Sequence, residues 1–165
     1  MSSRLLLTFF TALSVASLGG CQTATTFPQP TAAWRTSLGQ LRYAGPQRAV
    51  IGEVVVRHDQ GRNFQLQFQS GPGFPLLKLL VSGEHARAEG LFARGSWEGT
   101  RASAPARLQG WMQLPEAFAK LSPSAPKVST STFEATAVLD AQGAPTQLTV
   151  VTPTTGERFS FVFSK

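Results

Sequence analysis

Strict alternation of apolar and polar residues gives the clearest structural signal in the chain, and it falls at residues 63–69. Such alternation is typical of a β-strand with one buried and one solvent-facing side. The apolar positions of this segment are Phe64, Leu66 and Phe68. A run rich in β-branched residues at 49–57 precedes it across a short polar turn. The two segments together predict a β-hairpin.

The next segment, residues 74–81, is apolar on both sides and contains Leu77 and Leu79. Its length and the flanking Gly and Pro favour a strand over a helix, and this strand is either covered on both faces or lines a pocket. Residues 85–93, which include Phe92, predict a further strand. Residues 94–100 are interpreted as a loop.

The C-terminal part predicts a three-stranded meander, with strands at 132–139, 147–152 and 158–164 and turns marked by Gly and Pro. In the first of these strands Val138 is the one apolar residue on the outer side. The last strand places three phenylalanines on one side, namely Phe159, Phe161 and Phe163. Rings in this alternation either fill a core or line a hydrophobic cavity, and both interpretations stay open.

Before the first strand, Trp34, Leu38 and Leu41 follow the spacing i, i+4, i+7. This spacing predicts a short helix with one apolar face, although Gly39 within it is unfavourable for a helix. The residues that precede it, 22–33, are small, polar and proline-bearing, and such composition is typical of an extended tether.

Residues 106–121 form the main helical region. The residues that share its apolar face are Leu108, Trp111 and Met112. Pro115 suits the first turn of a second helix, which directs Phe118 inward.

The N terminus has the pattern of an export signal. Arg4 precedes an apolar segment, residues 5–16, of the usual signal-peptide length and too short to span a bilayer. The segment ends in Leu18-Gly19-Gly20-Cys21, and Cys21 is the single cysteine of the chain. This pattern resembles the lipobox of bacterial lipoproteins, in which the cysteine receives a diacylglycerol and becomes the first mature residue. The alternative is an ordinary signal peptide followed by an incidental thiol.

The lipobox resemblance implies a division of the chain into three parts. Residues 1–20 are the signal peptide, 21–33 are the lipidated Cys21 and its flexible tether, and 34–165 are one β-rich domain. Gln22 after the cysteine implies an outer-membrane address facing the periplasm. Acyl chains on Cys21 would anchor the protein to the membrane, because each buried methylene contributes about 0.8 kcal/mol.

Composition narrows the choice of partner. The chain has 15 Lys and Arg against 9 Asp and Glu, a formal net charge of +6. The arginines are scattered, which predicts a solvated basic surface suited to anionic lipid headgroups. The export signal argues against nucleic acid as a partner. A lone cysteine excludes an internal disulfide.

The sequence offers little support for catalysis. His58 and Asp59 lie in a predicted turn, where Asp is common for conformational reasons. The chain contains no zinc-like ligand spacing, G-x-S-x-G elbow or phosphate-binding glycine loop. We therefore expect no enzyme activity, no metal site and no cofactor.

The order of anchor, tether, Trp34 segment, one-sided strands, helical interruption and further strands resembles the LolA/LolB-like group of lipoprotein carriers. In residues, the resemblance rests on Trp34 with Leu38 and Leu41, and on Gly110-Trp111-Met112-Gln113-Leu114-Pro115. It implies a mainly β fold, in which a curved antiparallel sheet forms an unclosed barrel and a few short helices cover an apolar cavity.

That fold implies binding of lipid or lipoprotein acyl chains by a membrane-anchored protein. The candidate lining residues are Phe64, Leu66, Phe68, Leu77, Leu79, Phe92, Trp111, Phe118, Phe161 and Phe163. The alternative is a structural or assembly lipoprotein that holds an envelope protein partner and has no ligand cavity. An enclosed cavity favours the first function, and a filled core favours the second.

Overall fold

Most of the chain forms β-strands that turn their apolar residues toward the same side of one sheet. The computed structural model describes residues 26–59, 62–71, 73 and 75–164. The strands are β1 (Arg35–Ala44), β2 (Ala49–His58), β3 (Asn63–Gln69), β4 (Pro75–Ser82), β5 (His85–Gly90), β6 (Gly95–Thr100), β7 (Lys127–Ser129), β8 (Glu134–Leu139), β9 (Pro145–Thr152) and β10 (Glu157–Phe163). The helices are α1 (Ala106–Gln109) and α2 (Leu114–Lys120), with single 3₁₀ turns at Arg101–Ser103 and Trp111–Gln113.

The ten strands form a single open sheet in the order β6-β5-β4-β3-β2-β1-β10-β9-β8-β7, and every neighbouring pair is antiparallel. The first and last strands therefore meet in the middle of the sheet. Residues 101–126 join the two edge strands, β6 and β7, and we call their helical part, residues 101–120, the cover segment. It packs against the inner side of the sheet through buried apolar residues.

This architecture confirms the predicted fold class. The sheet is an unclosed antiparallel barrel with a few short helices on one face. The predicted hairpin at 49–57 and 63–69 is β2 and β3, and the C-terminal meander is β8, β9 and β10. Val138 is 55% exposed on the outer side, as its position in the alternation predicted.

The predicted helix around Trp34, Leu38 and Leu41 is wrong, because Leu38 and Leu41 lie in β1 and Trp34 directly precedes this strand. Leu38 lies on the outer side and is 54% exposed, whereas Leu41 is fully buried. Backbone pairing with β2 and β10 on both sides outweighs the helical spacing. Gly39 allows this pairing, since a Cβ at that position would overlap the carbonyl of Val162.

Two further predictions are corrected by the structure. Residues 94–100, expected to be a loop, contain the edge strand β6. Backbone hydrogen bonds with β5 form this strand, although its sequence is mostly polar. The strand expected at 85–93 ends at Gly90, so Phe92 lies in the following turn. The short strand β7 has no counterpart among the predictions.

The proposed signal peptide and Cys21 lie outside the described residues. Of the predicted tether, the part from Thr26 onward is described, and it touches the outer side of the sheet. Gln65 on β3 donates a hydrogen bond to the Pro28 carbonyl over 3.2 Å. Within the described residues, no helix combines the length and apolar character needed to cross a bilayer.

Candidate ligand-binding site

The cover segment inserts Trp111 into one half of the inner side of the sheet. Its ring lies against those of Phe159 at 4.8 Å between centroids, Tyr43 at 5.1 Å, Phe92 at 5.5 Å and Phe68 at 6.0 Å. We call these five residues the Trp111 cluster. Trp111 is fully buried, and its indole Nε1 has no hydrogen-bond partner among the described residues.

Phe118 of α2 fills the other half of the inner side. Its ring centroid lies 5.5 Å from those of His58 and Phe64, 5.6 Å from that of Phe161 and 6.2 Å from that of Phe163. We call these five residues the Phe118 cluster. Each cluster is therefore centred on one aromatic side chain of the cover segment.

An open cleft of about 420 Å³ lies at the end of the barrel next to the Trp111 cluster. Four segments that are far apart in sequence form it: the β1–β2 turn, the turn after β5, the start of α1 and the β9–β10 turn. Tyr43 and Phe92 belong both to the Trp111 cluster and to the wall of this cleft. The cleft thus connects solvent with the aromatic interior.

A buried carboxylate lies on the cleft wall. Glu157 is 2% exposed, and its Oε1 accepts a hydrogen bond of 2.8 Å from the Tyr43 hydroxyl. Its Oε2 accepts one of 2.6 Å from Thr155 Oγ1. Burial, followed by the hydrogen bond and charge of Glu157, raises the pKa of Tyr43 above its ordinary value, so the phenol stays protonated and donates. A Cβ at Gly110 would overlap Glu157 Oε2, which explains the glycine there.

Three arginines surround the cleft, namely Arg48, Arg94 and Arg107. Arg48 lies over the ring of Phe92, 5.5 Å from its centroid, and Arg107 donates to the Ala93 carbonyl over 2.9 Å. None of the three forms a salt bridge with any residue in the described part of the chain. Their guanidinium groups retain hydrogen-bonding capacity toward a ligand.

The opposite end of the barrel, beside the Phe118 cluster, has an open cleft of about 410 Å³, which Arg35, Leu121 and Gln142 also line. His58 is 8% exposed there, and its Nδ1 is buried without a partner among the described residues. Burial, with Arg35 adding to the effect, lowers the pKa of His58. The pocket between His58, Phe118 and Leu148 holds about 20 Å³.

All ten predicted lining residues are buried and belong to one continuous core. Phe92 borders the cleft, and Phe118 borders the pocket at the opposite end. The other eight pack within the core, and they line neither the cleft beside the Trp111 cluster nor the spaces at the opposite end. Their role as a ligand-binding surface stays a prediction.

The polar part of the site was not predicted from the sequence. Tyr43 and Glu157 were detectable, because Tyr43 continues the inward alternation from Leu41 and Glu157 occupies the inward position before Phe159. The arginines carried no such signal, since they lie in turns that only the folded chain brings together. No group of His, Cys, Asp and Glu suitable for a metal ion occurs in the described part of the chain.

Comparison with known proteins gives a limited likeness of fold. No protein-family model matches the chain, and no curated protein matches it. Among solved structures, it is similar to a LolA superfamily protein from Nitrosomonas europaea, with 10% identity and a TM-score of 0.40 over 79% of this chain and 83% of that one. Such a score supports no inference about ligand or partner, so the chemistry of the site rests on this chain's own residues.

Proposed function

We propose that this protein is a membrane-anchored envelope lipoprotein that binds acyl chains of a lipid or lipoprotein beneath its cover segment. The observation that carries the proposal is the open cleft leading to the Trp111 cluster, under a cover without strand pairing to the sheet. An acyl chain entering there would exchange water for the rings of Tyr43 and Phe92. Burial of apolar surface contributes about 25 cal/mol per Å².

Binding requires the cover segment to move, because Trp111 and Phe118 fill the interior in the closed form. Few polar contacts oppose this movement. Among the described residues, Arg101 N donates to the Glu84 carbonyl over 2.7 Å, and Arg107 donates to the Ala93 carbonyl. The ladders of the sheet do not depend on the cover, so the sheet can persist while the cover is displaced.

The unpaired indole of Trp111 also favours displacement. A buried donor without a partner costs about 1–3 kcal/mol relative to a paired one. An acyl chain that takes over the contacts of Trp111 would release this donor to water. Closed and ligand-bound forms can therefore be close in free energy.

The test is a titration of the purified protein with a fluorescent fatty-acid probe. We expect saturable binding with a Kd in the micromolar range or below, and displacement of the probe by unlabelled laurate. A flat titration of folded protein would overturn the proposal.

Variants with a matched control locate the binding region. Trp111→Leu removes part of the side chain that the ligand must displace, so it should lower the Kd several-fold. Trp34→Leu makes the same chemical change before β1, outside the buried core, and should leave the Kd unchanged. If Trp111→Leu does not fold, as judged by circular dichroism, Phe118→Leu takes its place. Equal Kd values for wild type and both cover variants would contradict binding beneath the cover.

The filled core favours a second candidate function. Eight of the ten predicted lining residues pack in the interior without bordering the cleft or the opposite pocket. A structural or assembly lipoprotein that holds an envelope protein partner needs no ligand space. A flat titration together with a single protein partner recovered from crosslinked envelopes would favour this function.

The anchor is a separate part of the proposal. Lipidation of Cys21 predicts that protein from producing cells fractionates with membranes, and that its N-terminal fragment carries the mass of a diacylglycerol and an acyl group. Cys21→Ser should abolish both. An unmodified Cys21 in membrane-derived protein would contradict the lipobox interpretation.

A further inference from the structure

We propose that the cleft selects amphiphiles with an anionic head group, which the arginines bind while the chain enters beneath the cover segment. This inference rests on the proposed function and adds the chemical class of the ligand. Arg48, Arg94 and Arg107 come from three different segments and border the same cleft. A guanidinium group forms paired hydrogen bonds with carboxylate or phosphate oxygens, and several of them around one cleft favour such a head group.

These arginines differ from the other unpaired arginines of the described chain in that they border one cleft together. Arg87 and Glu89 form a salt bridge on the sheet, and Lys120 and Glu116 form one on α2. The cleft arginines have no acidic partner in the described part of the chain. Their unpaired charges make the cleft a cationic region beside an apolar interior.

Glu157 is the one acidic residue among those lining the cleft, and its arrangement suits this selection. Both of its carboxylate oxygens accept hydrogen bonds from neighbouring hydroxyls, those of Tyr43 and Thr155. It is also 2% exposed, so it offers little surface to a ligand. The lining of the cleft therefore carries three positive charges against one buried, hydrogen-bonded carboxylate, and its net charge is positive.

The apolar rim of the cleft completes the match to an amphiphile. Leu91 is 51% exposed and borders the cleft together with Pro46 and Phe92. Arg48 lies against the Phe92 ring. Cationic head-group contacts and apolar chain contacts thus adjoin within one cleft, as an amphiphile with an anionic head requires.

The experiment measures displacement of the fluorescent probe by ligands with one chain length and different heads. We expect laurate and dodecyl phosphate to displace the probe at concentrations about tenfold lower than dodecanol, as a charge-assisted contact allows. Raising the salt concentration should narrow this difference, because the arginines are solvent-exposed. Stronger displacement by laurate would identify the natural ligand as a fatty acid. Stronger displacement by dodecyl phosphate would identify it as a lipid with a phosphate head group.

The variants assign the effect to the cleft. Arg48→Gln with Arg94→Gln should bring the ratio between dodecanol and laurate close to one. Arg42→Gln with Arg158→Gln, an equal loss of charge on the outer side of β1 and β10, should keep the wild-type ratio. Equal displacement by dodecanol and laurate from wild type, or stronger displacement by dodecyltrimethylammonium, would overturn this inference while leaving acyl-chain binding intact. Absence of binding by every probe would instead overturn the proposed function.

Discussion

The two aromatic clusters under the cover segment are built alike but end differently. Each has one ring of the cover surrounded by rings of the strands and, in the Trp111 cluster, by that of Phe92 in the turn after β5. The Trp111 cluster borders an open cleft with three arginines and a buried Tyr43–Glu157 pair. The Phe118 cluster borders a narrow pocket of about 20 Å³ and an open cleft of about 410 Å³, whose lining, among the described residues, includes one arginine, Arg35, and no carboxylate.

The two ends therefore differ in their polar groups more than in their openness. The Phe118 cluster carries a single titratable ring, that of His58, beside a cleft with one arginine. The Trp111 cluster has a buried carboxylate and borders a cleft with three arginines. What these polar groups contribute to stability and to ligand binding can be tested one cluster at a time.

The largest effect is expected from truncation of the two central rings. Trp111→Ala should lower the free energy of unfolding by roughly 4–5 kcal/mol and Phe118→Ala by roughly 3 kcal/mol, within the range for large-to-alanine changes in cores. Trp111 is fully buried, whereas Phe118 is 6% exposed at the end of the barrel. Urea denaturation measures both. An equal or larger loss for Phe118→Ala would show that the opposite end is the better packed one.

A smaller loss is expected for Gly110→Ala. In a helix this change normally stabilises by about 0.5–1 kcal/mol, because glycine carries more backbone entropy. Here the new methyl group would overlap the buried Glu157 carboxylate, so we expect a destabilisation of about 1–3 kcal/mol instead. A lower urea midpoint than that of the wild type would confirm the destabilisation. A higher midpoint would mean that Glu157 moves aside freely.

The polar pair of the Trp111 cluster gives the next prediction. Tyr43→Phe keeps the ring and removes the donor to Glu157, which should cost about 1–3 kcal/mol. Ser122→Ala removes a half-buried hydroxyl outside both clusters, which contacts Ser124 Oγ, and should change stability by less than about 0.5 kcal/mol. Tyr43→Phe with wild-type stability would indicate that water replaces the phenol at Glu157.

The smallest effect concerns pH and the Phe118 cluster. The pKa of His58 is lowered in the folded protein, so below about pH 6.5 the unfolded chain binds a proton that the folded one resists. Stability is therefore fully present above that pH and declines as pH falls through the folded pKa.

The comparison for this prediction is His58→Phe, which retains a ring against Phe118 and has no proton to bind. Tm measured between about pH 7.5 and 5 should fall more for wild type than for the variant. Parallel Tm curves would exclude His58 as the source. Asp59, whose pKa is also lowered although burial opposes this, acts at lower pH through hydrogen bonds from Asn63 and Arg62.

Alternation in the sequence was enough to predict most of the sheet, since β3 and β10 bury one side and expose the other. It failed where pairing alone makes a strand. The polar edge strand β6 obtains its hydrogen bonds from β5, and β1 contains apolar residues whose spacing also fits a helix. The partner strand of β1 that is distant in sequence is β10, and the partner of β6 is β5, which supplies backbone hydrogen bonds. Neither pairing leaves a pattern in the sequence of the strand itself.

Local sequence patterns predict even less of the candidate site than of the sheet. The predicted apolar residues were recognisable because each strand marks its buried side by itself. The cleft needs the turns around Pro46, Leu91 and Thr154 to converge, and no local pattern encodes this convergence. Glu157 was overlooked because the strand prediction began one residue too late.

The central pairing of β1 with β10 also bears on the order of folding. The strands β1–β6 and β7–β10 are two local meanders, and closing the long loop between β1 and β10 costs additional chain entropy. β10 supplies Phe159 to one aromatic cluster and Phe161 and Phe163 to the other. The cover segment therefore has no complete surface to dock on until the last strand has paired, and docking of the cover becomes a late step of folding.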